Sequence, residues 1–197
     1  MIDSQNMHSV YDNWPEIAKE CFSRDFSKIE VNDIDHIVFA GMGGSGTIGD
    51  VFSSILSKTD MHVSIIKGYE LPKTVDKNSI IILTSISGNT QETLSILENS
   101  NKTNANVLAL SSGGMMEKIC NNNNTSFYKI EKQHSPRASF LGFLYASLNI
   151  LEDIIPVKKS DIDESIQSLF NIKKSISSEN LSQTNEALEI ANWITDT

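Results

Sequence analysis

His36-Ile37-Val38-Phe39-Ala40-Gly41-Met42-Gly43-Gly44-Ser45-Gly46 is the stretch on which the fold turns. A short, mostly apolar run leads straight into a glycine-rich segment, and Gly44–Lys58 then reads as a helix, with Ile48, Val51, Phe52, Ile55 and Leu56 on one stripe. A second stretch repeats the arrangement. Ser79-Ile80-Ile81-Ile82-Leu83 is followed by Thr84-Ser85-Ile86-Ser87-Gly88-Asn89-Thr90 and then by a helical pattern. Strand, small hydroxyl-rich loop, helix is the arrangement by which an α/β sheet holds phosphate, outside the carboxyl ends of its strands and at helix N-termini. Two such loops from one sheet suggest a phosphorylated small molecule held between them.

The rest of the chain alternates in the same way. Val10–Phe22 reads as an N-terminal helix and Met61–Ile66 as a second strand. Ser79–Thr84, a β-branched run without polar alternation, suits a parallel strand covered on both faces. Ala105–Leu110 and Thr125–Ile130 read as strands four and five, with a short helix over Met115–Cys120 and a polar loop over Asn121–Asn124. Arg137–Ile154 carries the widest apolar stripe, behind Pro136 at its N-terminus. The expected fold class is α/β, a three-layer αβα sandwich around a five-stranded parallel sheet, with C-terminal helices added. The expected division is a phosphate-binding domain over 1–156 and a helical segment over 157–197, which reads as two amphipathic helices.

Bulk properties narrow the partners. The chain has 197 residues, of which 39% are hydrophobic, and a net charge of -9. That charge argues against a nucleic-acid partner, whose affinity would come from Lys and Arg. An anionic ligand must be held by local donors, because the global field opposes it. Cys21 and Cys120 make no disulfide framework and no zinc pair, and they read as buried thiols. Met1–Val10 has no apolar signal core, and no run approaches the roughly 20 apolar residues of a membrane span, so the expectation is a cytoplasmic protein without membrane contact.

Gly41, Gly43 and Gly46 satisfy the G-x-G-x-x-G pattern, but a dinucleotide fold wants an acidic residue at the end of its second strand, and Lys67 stands there. Lys67 argues against NAD and leaves an NADP oxidoreductase open; a simple tight turn also remains open. Ser45 adds a hydroxyl that a mere turn does not need. Ser85, Ser87 and Thr90 place three hydroxyls at one strand end, able with free helix amides to surround a phosphate without any Lys. Asn89-Thr90-Gln91-Glu92 has the form of a capping box, so Glu92 reads as a cap. Arg137 stands where a helix begins, a place that opposes its charge, which leaves a surface ion pair or a ligand-facing role. His8, His36, His62 and His134 are scattered, and no metal-ligand spacing or general base stands out.

Together, G-M-G-G-S-G after strand one, S-x-S-G-N-T after strand three, and the Pro136-Arg137-Ala138 step before a long helix resemble the sugar isomerase (SIS) domain. The closest form is that of the bifunctional phosphoglucose/phosphomannose isomerases; Trp14 and the Gly49-Asp50 pair fit it, and the likeness runs from about residue 10 to 195. The resemblance implies a flavodoxin-like SIS fold. It implies that Ser45, Ser85, Ser87 and Thr90 bind the substrate phosphate, with Gly43 and Gly44 bringing backbone close to the sugar. It implies that Arg137 is catalytic, lying beside C1 and C2 and stabilising an enediolate. The implied reaction interconverts glucose 6-phosphate or mannose 6-phosphate with fructose 6-phosphate through a cis-enediol, without metal or cofactor, in a homodimer. Members carry two SIS domains and take the catalytic Glu and His from the second. Asn185–Ala191 looks like the helix that opens that domain, so the chain is expected to supply the phosphate-binding half. The alternative is a single SIS domain that binds a sugar phosphate without turnover.

Overall fold

Apolar residues fill Ile37–Ala40 and Ile80–Leu83, the middle of the two central strands, and draw these strands into the core. In a computed structural model, which describes residues 3–29, 31 and 33–195, β1 (His36–Ala40) and β3 (Ser79–Ser85) are buried along their whole length. They lie side by side in a five-stranded, all-parallel sheet of order β2-β1-β3-β4-β5, with β2 (His62–Ile66), β4 (Asn106–Ser111) and β5 (Ser126–Lys129). Alternate residues of the strands serve two cores. Ile37, Phe39, Ile80, Ile82, Leu108 and Leu110 face one set of helices; Val38, Ala40, Ile81, Leu83 and Ala109 face the other.

The first face is covered by α2 (Trp14–Ser23), α3 (Gly44–Leu56), α6 (Phe140–Ile150) and α7 (Lys159–Ile176). The second is covered by α4 (Gln91–Ser100) and α5 (Gly114–Asn123). This is the expected three-layer αβα sandwich. Two further helices are α1 (Met7–Asp12), ahead of α2, and α8 (Glu186–Thr195), in the tail. Within the tail, Ile162 and Ile166 of α7 join the core, whereas no residue of α8 is buried, and Leu181, Ile190 and Trp193 are exposed.

Several boundaries differ from expectation, each for a local reason. The single helix expected over 10–22 is two, broken at Asn13. Pro15 in the first turn of α2 has no amide to donate to residue 11, and its ring would clash with that carbonyl. The polar loop expected over Asn121–Asn124 is mostly helix. α5 runs through Asn123 and stops where Asn124 turns left-handed (φ 53°), a conformation Asn tolerates, while the Thr125 amide donates to the Cys120 carbonyl. The helix expected from Arg137 starts three residues later. Ser139 Oγ accepts from the Gln133 amide and donates to the Ser135 carbonyl, which holds 133–139 as a loop. Arg137 is therefore a turn residue, and its charge does not sit in a helix's first turn.

Candidate functional site

Three segments that are far apart in sequence converge on one cleft of about 540 Å³. Met42, Gly43, Gly44 and Ser45 arrive from β1; Ile86, Ser87 and Thr90 from β3; and Ser135, Pro136 and Arg137 from the loop after β5. The strands meet here because β1 pairs directly with β3, so their carboxyl ends are neighbours. Met7 and Tyr11 of α1 complete the lining. Of the expected site residues, only Ser85 stays out of the cleft wall.

Gly43 takes φ 55° and ψ −127°, a combination that a side chain resists, and this turn swings the chain from β1 into α3. Gly43 is the N-cap of α3, and no side chain caps the helix. The Ser45 amide donates to the Met42 carbonyl and the Thr47 amide to the Gly43 carbonyl, which leaves the Gly44 and Gly46 amides of this first turn for another acceptor. Ser45, in that first turn, is 8% exposed and lines the cleft, and no described residue hydrogen-bonds its hydroxyl.

The β3 loop is built from the inside. Ser85 is buried at 1% exposure; its Oγ lies 3.0 Å from Thr90 Oγ1 and accepts from the Gly88 amide at 3.1 Å. Ser85 therefore positions Thr90 and closes the turn, while Thr90 and Ser87 reach the cleft. Ser87 is exposed, and its Oγ accepts only a long 3.3 Å bond from the Asn89 amide. The capping box expected at Asn89–Glu92 is absent. The cap position is Thr90, without a side-chain bond, because Asn89 Oδ1 accepts from the Met115 amide of α5. The N-terminus of α4, like that of α3, stands open beside the cleft.

The cleft's electrostatics favour an anion despite the acidic chain. Among the described residues, Arg137 is the one charged residue lining it, and no carboxylate or imidazole joins it there. Among the described residues no acid lies within ion-pairing distance of Arg137. The surface ion pair left open by the sequence is not what occupies it. Lys67, which kept an NADP reading open, is turned away; its Nζ holds both carboxylate oxygens of Asp50 at 3.0 and 2.7 Å.

The thiols offer no alternative chemistry, since burial pushes both Cys21 and Cys120 up to about 11. Among the described residues no three candidate ligands cluster as a metal site, and no helix is long and apolar enough to cross a membrane. The histidines are not all scattered, as the sequence had suggested. The parallel register of β1 and β2 sets His36 beside His62, and their rings stack at 4.2 Å at the opposite end of the sheet from the cleft.

Sequence reasoning missed Met7, Tyr11 and Ser135 as lining residues. Ser135 adjoins the Pro136-Arg137 step and could have been included on that ground, whereas nothing local marks Met7 or Tyr11. Their placement depends on how α1 lies across the 133–139 loop.

Comparison with known proteins identifies the family and the fold. The model of the SIS domain matches residues 30–152. The chain is 37% identical over 145 residues to the bifunctional phosphoglucose/phosphomannose isomerase of Thermoplasma volcanium, covering 74% of this chain and 45% of that protein. It is 37% identical over 155 residues to the protein of that name from Thermoplasma acidophilum, covering 79% and 46%. The chain thus spans about half the length of the curated relatives it matches. Among solved structures, a hypothetical protein from Thermus thermophilus shares the fold with a TM-score of 0.65 at 14% identity, over 98% of this chain and 49% of that one. The chain belongs to the SIS-domain family.

Proposed function

We propose that this chain supplies the phosphosugar-binding half of an aldose–ketose isomerase that interconverts glucose 6-phosphate or mannose 6-phosphate with fructose 6-phosphate. The observation that carries the proposal is the convergence of two uncapped helix N-termini, three cleft-facing hydroxyls and one unpaired Arg on a single cleft free of carboxylates. The hydroxyls of Ser45, Ser87 and Thr90, the Gly44 and Gly46 amides of α3 and the first amides of α4 hold the phosphate, with Ser85 fixing Thr90. A dianion at two helix ends meets favourable partial charge from both dipoles. Gly43 and Gly44, lacking side chains, let the sugar approach the backbone. Arg137 lies across the cleft from the hydroxyl loops, beside the reacting carbons C1 and C2.

In this reading the proton moves between C2 of the aldose and C1 of the ketose through a cis-enediol. Negative charge grows on the oxygens of C1 and C2 as the proton leaves, and a fixed guanidinium there stabilises the transition state more than the ground state. The cleft lining contains no residue suited to take that proton. The base is assigned to the part of the protein that the relatives have and this chain does not span. A homodimer and a cytoplasmic location belong to the same proposal.

The test is isotope incorporation. The full-length protein incubated with glucose 6-phosphate in D2O is expected to place deuterium at C2, and Arg137→Ala is expected to lower that rate by about 100-fold, the scale of a lost oxyanion donor. Full-length protein that binds the sugar phosphate yet exchanges no proton would leave a binding module as the correct reading.

A further inference from the structure

We infer that Trp14 is a positioning residue for Arg137, acting through the backbone of the next residue; the inference rests on the phosphosugar reading of the cleft. The Trp14 indole N–H donates to the Ala138 carbonyl at 2.8 Å, across 124 positions of sequence and in partly buried surroundings. Tyr11 meets the indole edge-on with ring centroids 4.8 Å apart, which fixes the direction in which the N–H points. The loop that receives this bond is joined on one side to α6, whose Phe140 and Phe143 amides donate to the Arg137 and Ser139 carbonyls, and Ala138 and Ser139 are fully buried. Ala138 donates to Ser135 Oγ, and Ser139 links Gln133 to Ser135. The loop is thus held from two sides, by α6 through its own backbone and by α2 through the Trp14 bond, and the second hold sets the angle at which the Arg137 turn meets the hydroxyl loops.

Among the described residues, every side-chain hydrogen bond that reaches 133–139 from another segment comes from residues 5–14. His134 meets Gln5 at 3.1 Å on the exposed surface, and Ser135 Oγ points at Met7 Sδ from 4.0 Å. The Trp14 bond is the short, shielded one of the three. It fixes how far the guanidinium stands from the phosphate cradle, and so it matches the cleft to the span of a hexose phosphate. The indole touches no ligand in this arrangement; it sets where the Arg137 turn rests. α2 in turn is packed into the main core through Ala18 and Phe22, so the reference frame is rigid.

The experiment measures the binding of fructose 6-phosphate and of inorganic phosphate to the 197-residue chain by calorimetry. Trp14→Phe keeps the aromatic body against Tyr11 and removes only the N–H. It is expected to weaken fructose 6-phosphate about fivefold to tenfold, the worth of one such bond, and to leave phosphate unchanged. In an Arg137→Ala background the same replacement is expected to add nothing, because the group it positions is gone. A general loosening of the fold would instead weaken both ligands and would add to Arg137→Ala. Either of those results, or wild-type affinity for fructose 6-phosphate in Trp14→Phe, overturns the positioning role. A wild-type chain that binds neither ligand overturns the cradle reading itself, and this inference with it.

Discussion

The loops after β3 and β4 look alike in sequence and sit at the same end of the sheet, yet they do opposite things. Ser85-Ile86-Ser87-Gly88-Asn89-Thr90 turns two hydroxyls outward to the cleft. Ser111-Ser112-Gly113-Gly114 turns its hydroxyls inward. Ser111 Oγ donates to the Gly113 carbonyl and accepts from its amide, and Ser112 Oγ donates to the Ile86 carbonyl at 2.6 Å. The Met115 and Met116 amides then donate to Asn89 Oδ1 and the Gly88 carbonyl. The β4 loop is bolted to the β3 loop and satisfies its backbone, which leaves the Ser87 and Thr90 hydroxyls at the cleft for the cradle role proposed above. Serine and glycine content does not separate a cradle from a brace; the partners of the hydroxyls do.

The sharpest way to break this division is at the seam. A Cβ on Gly88, which has φ 68°, would stand 1.8 Å from the Gly113 carbonyl oxygen. Gly88→Ala is expected to cost about 4 kcal/mol and to lower the melting temperature by roughly 10 °C. A near-wild-type melt would mean that the two loops are not in contact. Next comes Ser87→Ala. Losing a hydroxyl that donates to a dianion is worth about 1.5–3 kcal/mol, so fructose 6-phosphate should bind roughly ten- to a hundredfold more weakly at an unchanged melting temperature. Its counterpart, Ser112→Ala, should do the reverse, costing about 1 kcal/mol of stability with affinity nearly unchanged. Exchanged results for these two variants would invert the assignment of cradle and brace.

The smallest expected effect lies at the far end of the sheet, at the stacked His36–His62 pair. Burial and then the stacked His62 hold the His36 imidazole below its ordinary range, so the folded state keeps it neutral. On acidification the unfolded chain takes up that proton first, and stability falls as the pH drops below about 6.5, the unperturbed histidine value. Asp35 and Asp76 oppose the shift, and Ser64 and Ser79 hydrogen-bond the ring. Melting should therefore drop between pH 7.5 and 5.5, above the range in which ordinary carboxylates titrate, and His36→Gln should flatten that drop. An equal slope in the variant would assign it to another group.

How much of this could be read beforehand follows from the range of the interactions involved. The strands were plain because Ile80–Leu83 and Ile37–Ala40 are apolar at every position, a local property. The two hydroxyl loops and Arg137, which the structure brings to one cleft, stand out in the sequence because strand-end chemistry is also local. What escaped depends on a second segment. Asn89 looked like a cap until Met115, on another helix, took its oxygen. Ser85 looked like a ligand group until Thr90 and Gly88 claimed it. The His36–His62 stack needs the β1–β2 register, and the place of Tyr11 at the cleft needs the Trp14 bond to Ala138. Pro15 is a local signal too, and it marks the break between α1 and α2.

The order of the strands has one more consequence. β1 lies beside β3, although β2 and its crossover come between them in the chain. The two halves of the cradle share no local structure, and they come within reach of one small anion only after that crossover has closed. A denatured chain has nothing for the ligand to grasp. Under the proposed function, ligation and folding form a single coupled equilibrium, and a hexose phosphate at a hundred times its dissociation constant would add about 2.7 kcal/mol to the stability of the assembled sheet.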